Sequence, residues 1–517
     1  MIDFSLAEIA EIVGGELHDV SDPQARVTGF VEFDSRKVTP GGLFLALPGA
    51  RVDGHDYAET AIAAGAVAVL AARPVGVPAI VVTPRGRTES NADVYANDVD
   101  GSAAAVVGAL SALARAVVTR LEDEHELIVV GITGSAGKTS TKDLVASVLR
   151  GAGETVAPPG SFNNEIGHPY TAFRCDADTR FLVAEMSARG IGQIRHLADI
   201  APPLVGAVLN VGSAHLGEFG SRENIAQAKG ELVEALPVNG TAILNADDPF
   251  VAAMADRTEA QVVFYSAAEP PAPGADLWAE DIELDDVARP SFTLRTAEGS
   301  IRIKLKVFGE HQVSNALAAA AVGLAVGLSL EQIAAGLSHH KNASAHRMDV
   351  QTRDDGVTVI NDSYNANPDS MKAGIAALAY TAAARPHARA VAVLGEMGEL
   401  GPDAEQSHRE LGEELDRYRI SHLIAVGSSA NSRAMATEAE NRGITTSVAK
   451  TIDEAITLVD AVLRTRPSDY SGPGGTNPGD VVLVKASNSQ GLWRVAEGLL
   501  HSSASTEKTL RQISRDK

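Results

Sequence analysis

Cysteine is nearly absent: Cys175 is the single one in 517 residues. One thiol cannot close an internal disulfide, and a zinc–thiolate cluster is excluded. Nothing near Cys175 in the sequence resembles a base that would activate it, so it reads as a small core residue. Positive charge is scarce. Lys and Arg number 44 against 67 Asp and Glu, a formal net charge of −23, which argues against nucleic-acid binding and against a polybasic membrane anchor. It does not argue against nucleotides, because a small phosphate ligand is held by local dipoles rather than by net charge. Long apolar runs are missing as well. The longest uncharged one, 316–330, reads as a buried helix too short to span a membrane. The start, MIDFSLAEIAEIVGGELHD, carries acidic residues where a signal peptide needs Lys or Arg. No internal repeat is visible. What remains is the expectation of a reduced, cytoplasmic, soluble protein without membrane insertion, with the balance leaning toward an enzyme.

At about 150 residues per domain, this length predicts roughly three domains. Residues 1–95 hold short helical and extended segments, with strands expected at 27–33 and 42–47, and 84–97 is polar and reads as a first linker. A helix is expected from 102 to 121. The apolar runs 126–132, 180–184, 204–211, 241–244 and 262–265 then read as buried parallel strands with helices between them, which defines a doubly wound α/β sheet. Residues 291–307 alternate apolar and polar, as in a hairpin added to that sheet. The pattern breaks around 338–344. New strands follow in 350–360 and at 390–394, 423–426 and 481–484, interrupted by a Pro/Gly/Ser-rich loop at 466–479. From about 505 the chain reads as a frayed tail. The fold class is α/β in three domains: a small N-terminal α/β domain (1–95), a central P-loop domain with a mostly parallel sheet (96–340) and a C-terminal Rossmann-like α/β domain (341–517).

The sharpest motif is Gly134-Ser-Ala-Gly-Lys-Thr-Ser140, directly after the strand ending at Ile132. Glycines let backbone N–H groups approach phosphate oxygens, and the following helix offers its positive N-terminus. Lys138 can reach terminal phosphates and Thr139 can ligate Mg²⁺. The strict pattern wants a glycine where Ile132 stands, so the match is partial. Glu185 ends an apolar strand beside this loop, where Mg²⁺ coordination is needed, although a lone glutamate there is more often solvent-facing. His215 would by default be a hydrogen-bonded loop residue and Lys229 a solvated helix lysine. The polar run Asn361-Asp-Ser-Tyr-Asn-Ala-Asn-Pro-Asp-Ser-Met371 follows a strand and could orient a small polar substrate. It could equally be a helix start, with Asp369 or Ser370 capping a helix from Met371.

Together these motifs resemble the Mur ligase family over essentially the whole chain. The loop Thr133-Gly134-x-x-Gly137-Lys138-Thr139 is similar to the family's own P-loop variant, which accounts for the missing glycine. Ser161-Phe-Asn-Asn-Glu-Ile-Gly-His-Pro169 and 361–371 are similar to the branch that adds D-alanyl-D-alanine; sister ligases adding single amino acids carry different residues at both places. Asp34-Ser35-Arg36, Gly42-Leu-Phe-Leu-Ala-Leu-Pro-Gly49 and Asp53-Gly-His55 resemble that branch's UDP-sugar-binding domain.

The resemblance implies ATP-dependent addition of D-alanyl-D-alanine to UDP-N-acetylmuramoyl-tripeptide, in peptidoglycan precursor synthesis, by a cytoplasmic monomer that binds no nucleic acid. It places ATP on Gly134, Ser135, Ala136, Gly137, Lys138, Thr139 and Ser140, with His311, Asn315 and Arg347. It assigns one Mg²⁺ to Thr139 and Glu185 and a second to His215 and Lys229, with Lys229 carbamylated by CO₂; Lys138, Glu185, His215 and Lys229 are the catalytic set. Carbamylation needs a neutral lysine, hence a depressed pKa. Substrate contacts are implied at Ser35, Arg36, Leu43, Asp53, Gly54, His55, Asn163, Asn164, Asp362, Tyr364, Asn365 and Asn367. One departure stands out: where the family usually has Met-Gly-Ala, this chain has Met186-Ser187-Ala188-Arg189-Gly190, and Gln193 stands where an acidic residue or histidine is common. The rival readings are another ligase of this family or of the folylpolyglutamate type, and a non-catalytic ATP-gated binding protein. The Asn-Asn and Tyr-Asn-Ala-Asn-Pro runs speak against the first, and the joint presence of Lys138, Glu185 and Lys229 against the second.

Overall fold

The N-terminal sheet has five short strands in the order Glu16–His18, Ala79–Val81, Ala68–Ala71, Leu43–Leu45, Val31–Glu32, parallel except for the first pair. The structure, a computed structural model, describes residues 3–49, 52–84, 86, 95, 98–212, 216–341, 344, 346–465 and 479–501. His215, most of the linker expected at 84–97, nearly all of the loop expected at 466–479 and the tail from 505 lie outside the described residues. The strand expected at 27–33 is two: Arg26–Val27, which pairs with Phe4–Ser5, and Val31–Glu32. Between them the N–H groups of Thr28 and Gly29 both donate to Gly41 O (3.0 and 2.8 Å), so the chain leaves the ladder there.

Among the described residues the central sheet has nine strands, with Glu154–Val156 at the edge beside Thr179–Glu185. The strand Ile128–Thr133 lies between Thr179–Glu185 on one side and Val205–Val208 on the other, all parallel. Thr241–Asn245 and Gln261–Ser266 extend the parallel run. The far edge is Leu277–Leu284, Pro290–Thr296 and Gly299–Lys304, joined antiparallel. The expected hairpin is therefore the outer part of a three-stranded meander; Leu277–Leu284 alternates buried and accessible residues and lacks the continuous apolar run of its neighbours. One face of the sheet is covered by the P-loop helix Lys138–Leu149 and the helices Gln312–Ala325 and Leu330–His339.

The other face shares its core with the N-terminal sheet. The helix Ser102–His125 supplies Val106, Leu110, Leu113, Val117 and Leu121 to one continuous apolar cluster that includes Phe4, Ile9 and Leu43 as well as Val129, Leu182 and Ile194. It runs four residues further than expected. Among the described residues it is the one helix long and apolar enough to cross a membrane by length and composition, although arginines interrupt its apolar run. In this fold 61% of its most apolar window is buried, the environment of a core helix.

The C-terminal sheet runs Asp349–Thr352, Thr358–Asn361, Val481–Lys485, Ala390–Leu394, His422–Val426, Thr445–Ala449, parallel after the first pair. Both faces are apolar and covered, as a parallel sheet requires.

Cys175 is fully buried in the shared core, and burial pushes its thiol well above the usual range. The folded protein is expected to leave a thiol reagent such as DTNB unreacted over minutes, and to release one equivalent after denaturation. Rapid titration of the native protein would contradict this burial.

Candidate active site

In parallel α/β sheets, ligands bind beyond the carboxyl ends of the strands where the strand order reverses. Here that point is the end of Ile128–Thr133. Gly137, the last residue before the P-loop helix, has φ +84°, and a Cβ on it would lie 2.6 Å from Asn315 Oδ1. Only glycine fits, so Asn315 supports the loop from below; its Oδ1 also accepts the Thr141 hydroxyl (3.2 Å). Asn210, just beyond Val205–Val208, holds the loop from the side. The Ala136 N–H donates to Asn210 Oδ1 (2.9 Å), Asn210 Nδ2 donates to Ala136 O (3.1 Å), and the Ser135 N–H donates to Asn210 O (3.1 Å). The loop is thus fixed by its own chain. Lys138 donates from Nζ to Gly134 O (2.7 Å). Burial lowers its pKa; the charge of Glu185 opposes this and that of Arg347 adds to it.

On the other flank, register places Glu185 opposite Ile132. Its carboxylate is buried (1% exposed), accepting the Thr139 hydroxyl on Oε2 (2.9 Å) and Asn163 Nδ2 on Oε1 (2.7 Å). The Thr139 and Ser161 hydroxyl oxygens are 2.9 Å apart, and Arg347 Nη2 donates to Ser161 Oγ (2.9 Å). One network therefore joins the P-loop, the 161–164 loop, the Glu185 strand and an arginine of the C-terminal domain. The paired Thr139 hydroxyl and Glu185 carboxylate are hard oxygen donors suited to Mg²⁺. The described residues contain no group of three or more His, Cys, Asp or Glu placed to hold a metal. Mg²⁺ sites completed by phosphate oxygens and water do not need one.

Lys229 lies on the helix Arg222–Glu234, 3% exposed, and is not a solvated lysine. Burial first, and the charge of Lys138 second, push its pKa well below the usual value. Two residues on, Glu231 accepts the N–H groups of Gly192 (2.5 Å) and Arg195 (3.0 Å), tying this helix to the start of Gln193–Ile200.

A cleft of about 760 Å³ runs between the central and C-terminal sheets. It brings together Ser135 to Ser140 of the P-loop, Asn163, Asn164, Glu185, His311, Asn315, Arg347, Asp362, Tyr364, Asn365 and Asn367. It also takes in residues that were not singled out, namely Ser161, Asn210 and Lys485. Asn367, not Asp369 or Ser370, caps the helix, which starts at Pro368; its Oδ1 accepts the Ser370 N–H (2.8 Å).

The N-terminal candidates do not line this cleft. Leu43 is fully buried in the core, so its side chain is unavailable to a ligand. His55 is also buried: Nδ1 faces Asp53 Oδ1 (2.6 Å) and Nε2 accepts the Ala72 N–H (3.0 Å). Asp53 also accepts the His55 N–H, and a Cβ on Gly54 would strike Leu47 N at 2.6 Å. These residues hold a turn together. Ser35 lies in a short 3₁₀ turn, and the exposed Arg36 there forms a fork with Asp34 (2.8 and 2.9 Å).

In the departing stretch after Glu185, Arg189 and Gln193 bond to each other. The Arg189 N–H donates to Gln193 Oε1 (2.7 Å), and the Arg189 guanidinium reaches Glu399 of the C-terminal domain (2.9 Å). Close by, Gly217 and Gly401 meet so tightly that a Cβ on Gly217 would lie 2.6 Å from Gly401 N.

Three segments match family descriptions: residues 28–125 "Mur ligase family, catalytic domain", 132–323 "Mur ligase middle domain" and 346–488 "Mur ligase, glutamate ligase domain". The chain belongs to the Mur ligase family. Among its relatives, the UDP-N-acetylmuramoyl-tripeptide–D-alanyl-D-alanine ligase of Mycobacterium tuberculosis is 53% identical over 515 residues, covering 97% of this chain and 98% of that one. A crystal structure of MurF from Acinetobacter baumannii superposes with a TM-score of 0.80 at 29% identity, over 97% of this chain and 99% of that one. MurF ligase from Thermotoga maritima, solved in complex with ADP, gives a TM-score of 0.71 at 28% identity, over 92% and 97%.

Proposed function

We infer that this chain is an ATP-dependent amide ligase that joins UDP-N-acetylmuramoyl-tripeptide to D-alanyl-D-alanine. The observation that carries the reading is the Glu185–Thr139–Ser161–Arg347 network, which gathers a phosphate loop, an oxygen-donor pair and a guanidinium from a second domain into one cleft. Full-length likeness to D-alanyl-D-alanine-adding ligases supports the choice of substrates.

In the reaction, the terminal carboxylate of the tripeptide attacks the γ-phosphate of ATP, and an acyl phosphate and ADP form. The free amine of D-alanyl-D-alanine then attacks the acyl carbon. The bond to phosphate breaks, and an amide, phosphate and a proton result. The obstacle in the first step is the approach of anions. Lys138, the P-loop N–H groups and Arg347 are fixed where that charge gathers, so little reorganisation is needed as it develops. Mg²⁺, when bound by Thr139 and Glu185, adds charge neutralisation at the phosphate oxygens. Lys229, whose pKa burial pushes well below the usual value, is suited to carbamylation, and with His215 would supply a second Mg²⁺ site. The acyl phosphate must be shielded from water, which closing the cleft between the two domains would provide.

We assign residues 1–95 to UDP-sugar binding, 96–340 to ATP and 341–517 to the acceptor dipeptide, with His311 toward the adenine and the 362–367 loop toward the dipeptide. Ser35, Arg36 and Asp53 are the accessible N-terminal candidates for the UDP-sugar. The single thiol suits a reducing cytoplasm, and the unit of action is taken as a monomer.

The test is phosphate release from ATP and Mg²⁺ with the purified protein, omitting each substrate in turn. Release only with both present, with a pentapeptide product by mass, is expected. Release with another amino acid in place of the dipeptide would move the chain to a sister activity.

A further inference from the structure

A buried ion pair in the C-terminal half of the cleft joins Asp362, on the loop assigned to the dipeptide, to Lys485, which has no part in the chemistry described above. Lys485 ends the strand Val481–Lys485 and is 2% exposed. Its ammonium has three protons and meets three acceptors, all on the 362–365 loop: Asp362 Oδ2 (2.5 Å), Asp362 O (3.3 Å) and Asn365 O (3.0 Å). The other carboxylate oxygen of Asp362 accepts the N–H of Met348 (3.1 Å). One carboxylate thus links Lys485 to the backbone beside Arg347.

That backbone is unusual. His346 (φ 60°) and Met348 (φ 47°), on either side of Arg347, are both left-handed, a region sparsely populated by residues with a Cβ. Such conformations persist only where the surroundings over-determine them, and they cluster at functional sites. Here His346 O accepts the Tyr364 N–H (3.0 Å) and the His346 ring stacks on Trp493, while Asp362 holds Met348. The result aims Arg347 across the cleft, its guanidinium 4.1 Å over the Tyr364 ring and bonded to Ser161. Released from Asp362, Met348 could relax to right-handed or extended backbone, and Arg347 would swing away. Stability alone is a weak reason to keep such a pair, since apolar replacements of buried ion pairs are often neutral or better.

We propose that Lys485 is a positioning residue for Arg347, acting through Asp362 to hold the left-handed turn 346–348. This rests on the reading of Arg347 as a nucleotide contact.

The test is a double-mutant cycle on the full-length protein, with steady-state ligation and calorimetry. Lys485→Met is expected to lower kcat by about 10²-fold, the scale of a misplaced catalytic group. In an Arg347→Ala background the same change should cost no more than about twofold, because the residue it positions is gone. An equal loss in both backgrounds overturns the proposal. The pair variant Lys485→Met with Asp362→Asn leaves no buried charge unpaired, so it serves where the single variant folds poorly. It should recover thermal stability but not kcat; recovery of kcat also overturns the proposal. If Arg347→Ala alone keeps wild-type kcat and KM for ATP, it is the nucleotide role of Arg347 that fails, an outcome distinct from either result for Lys485.

Discussion

Replacing Lys138 by alanine is expected to remove ADP formation, with a fall in kcat of about 10³-fold or more, the upper range for loss of one preorganised donor. The side chain is not a flexible surface lysine. Its ammonium is already tethered to Gly134 O, at the mouth of the loop that Asn210 and Asn315 hold rigid. Burial lowers its pKa, the charge of Glu185 opposes this, and the nearby Arg347 adds to it. A phosphate beside it would add the opposite charge that stabilises the ammonium form. Lys138→Arg should restore little, because the planar guanidinium cannot occupy the same tether beside glycine backbone. Coupled ADP detection measures the loss, and the thermal shift produced by ADP shows whether the loop still binds. Activity within tenfold of wild type would mean that Gly134 to Ser140 is only a turn.

The P-loop was readable because its chemistry is local: adjacent glycines, a lysine and a helix start in one short run. The parallel strands were readable because burial on both faces leaves continuous apolar runs. Leu277–Leu284 and Thr445–Ala449 escaped because they are half accessible and carry polar residues. The helix cap at Asn367 escaped although Asn-Pro is a start signal in its own right, with proline favoured at the first helical position. Other losses are of a different kind. Ser161 is an ordinary serine until Thr139 and Arg347, 22 and 186 residues away, converge on it. Lys485 reads as the end of an apolar strand until Asp362, 123 residues away, meets it. Asp53, Gly54 and His55 entered only through resemblance to a UDP-sugar-binding domain; that their polar atoms and close contacts also secure a turn is visible only in the fold. Local sequence shows which groups could do chemistry; which of them face the same space is decided by strand order and register.

Lys229→Met should separate stability from function. In the folded protein the lysine is buried and its pKa lies well below the ordinary 10.5, while the unfolded chain titrates near that ordinary value. Between the two values the unfolded state holds a proton that the folded state lacks, so stability rises with pH across this window. The penalty is complete below the folded value and is gone by about pH 10.5. Methionine has a similar volume and no charge to bury. The variant should therefore melt roughly 2–4 °C higher near neutrality, on the scale of one kcal/mol in a domain of this size. That gain should shrink steadily as pH is raised. Calorimetry in degassed, metal-free buffer reads it without interference from CO₂. Ligation should fall by at least about 10²-fold, since removing a metal ligand costs no less than disturbing the groups that orient one. Two further results are expected if the lysine works as a carbamate: wild-type activity should drop when dissolved CO₂ is removed and return with bicarbonate, and Lys229→Ala, which leaves a cavity, should regain part of its activity with formate or acetate. A Lys229→Met protein that is both stabilised and fully active would sink the carbamate reading, leaving a buried lysine that lowers stability without serving the reaction.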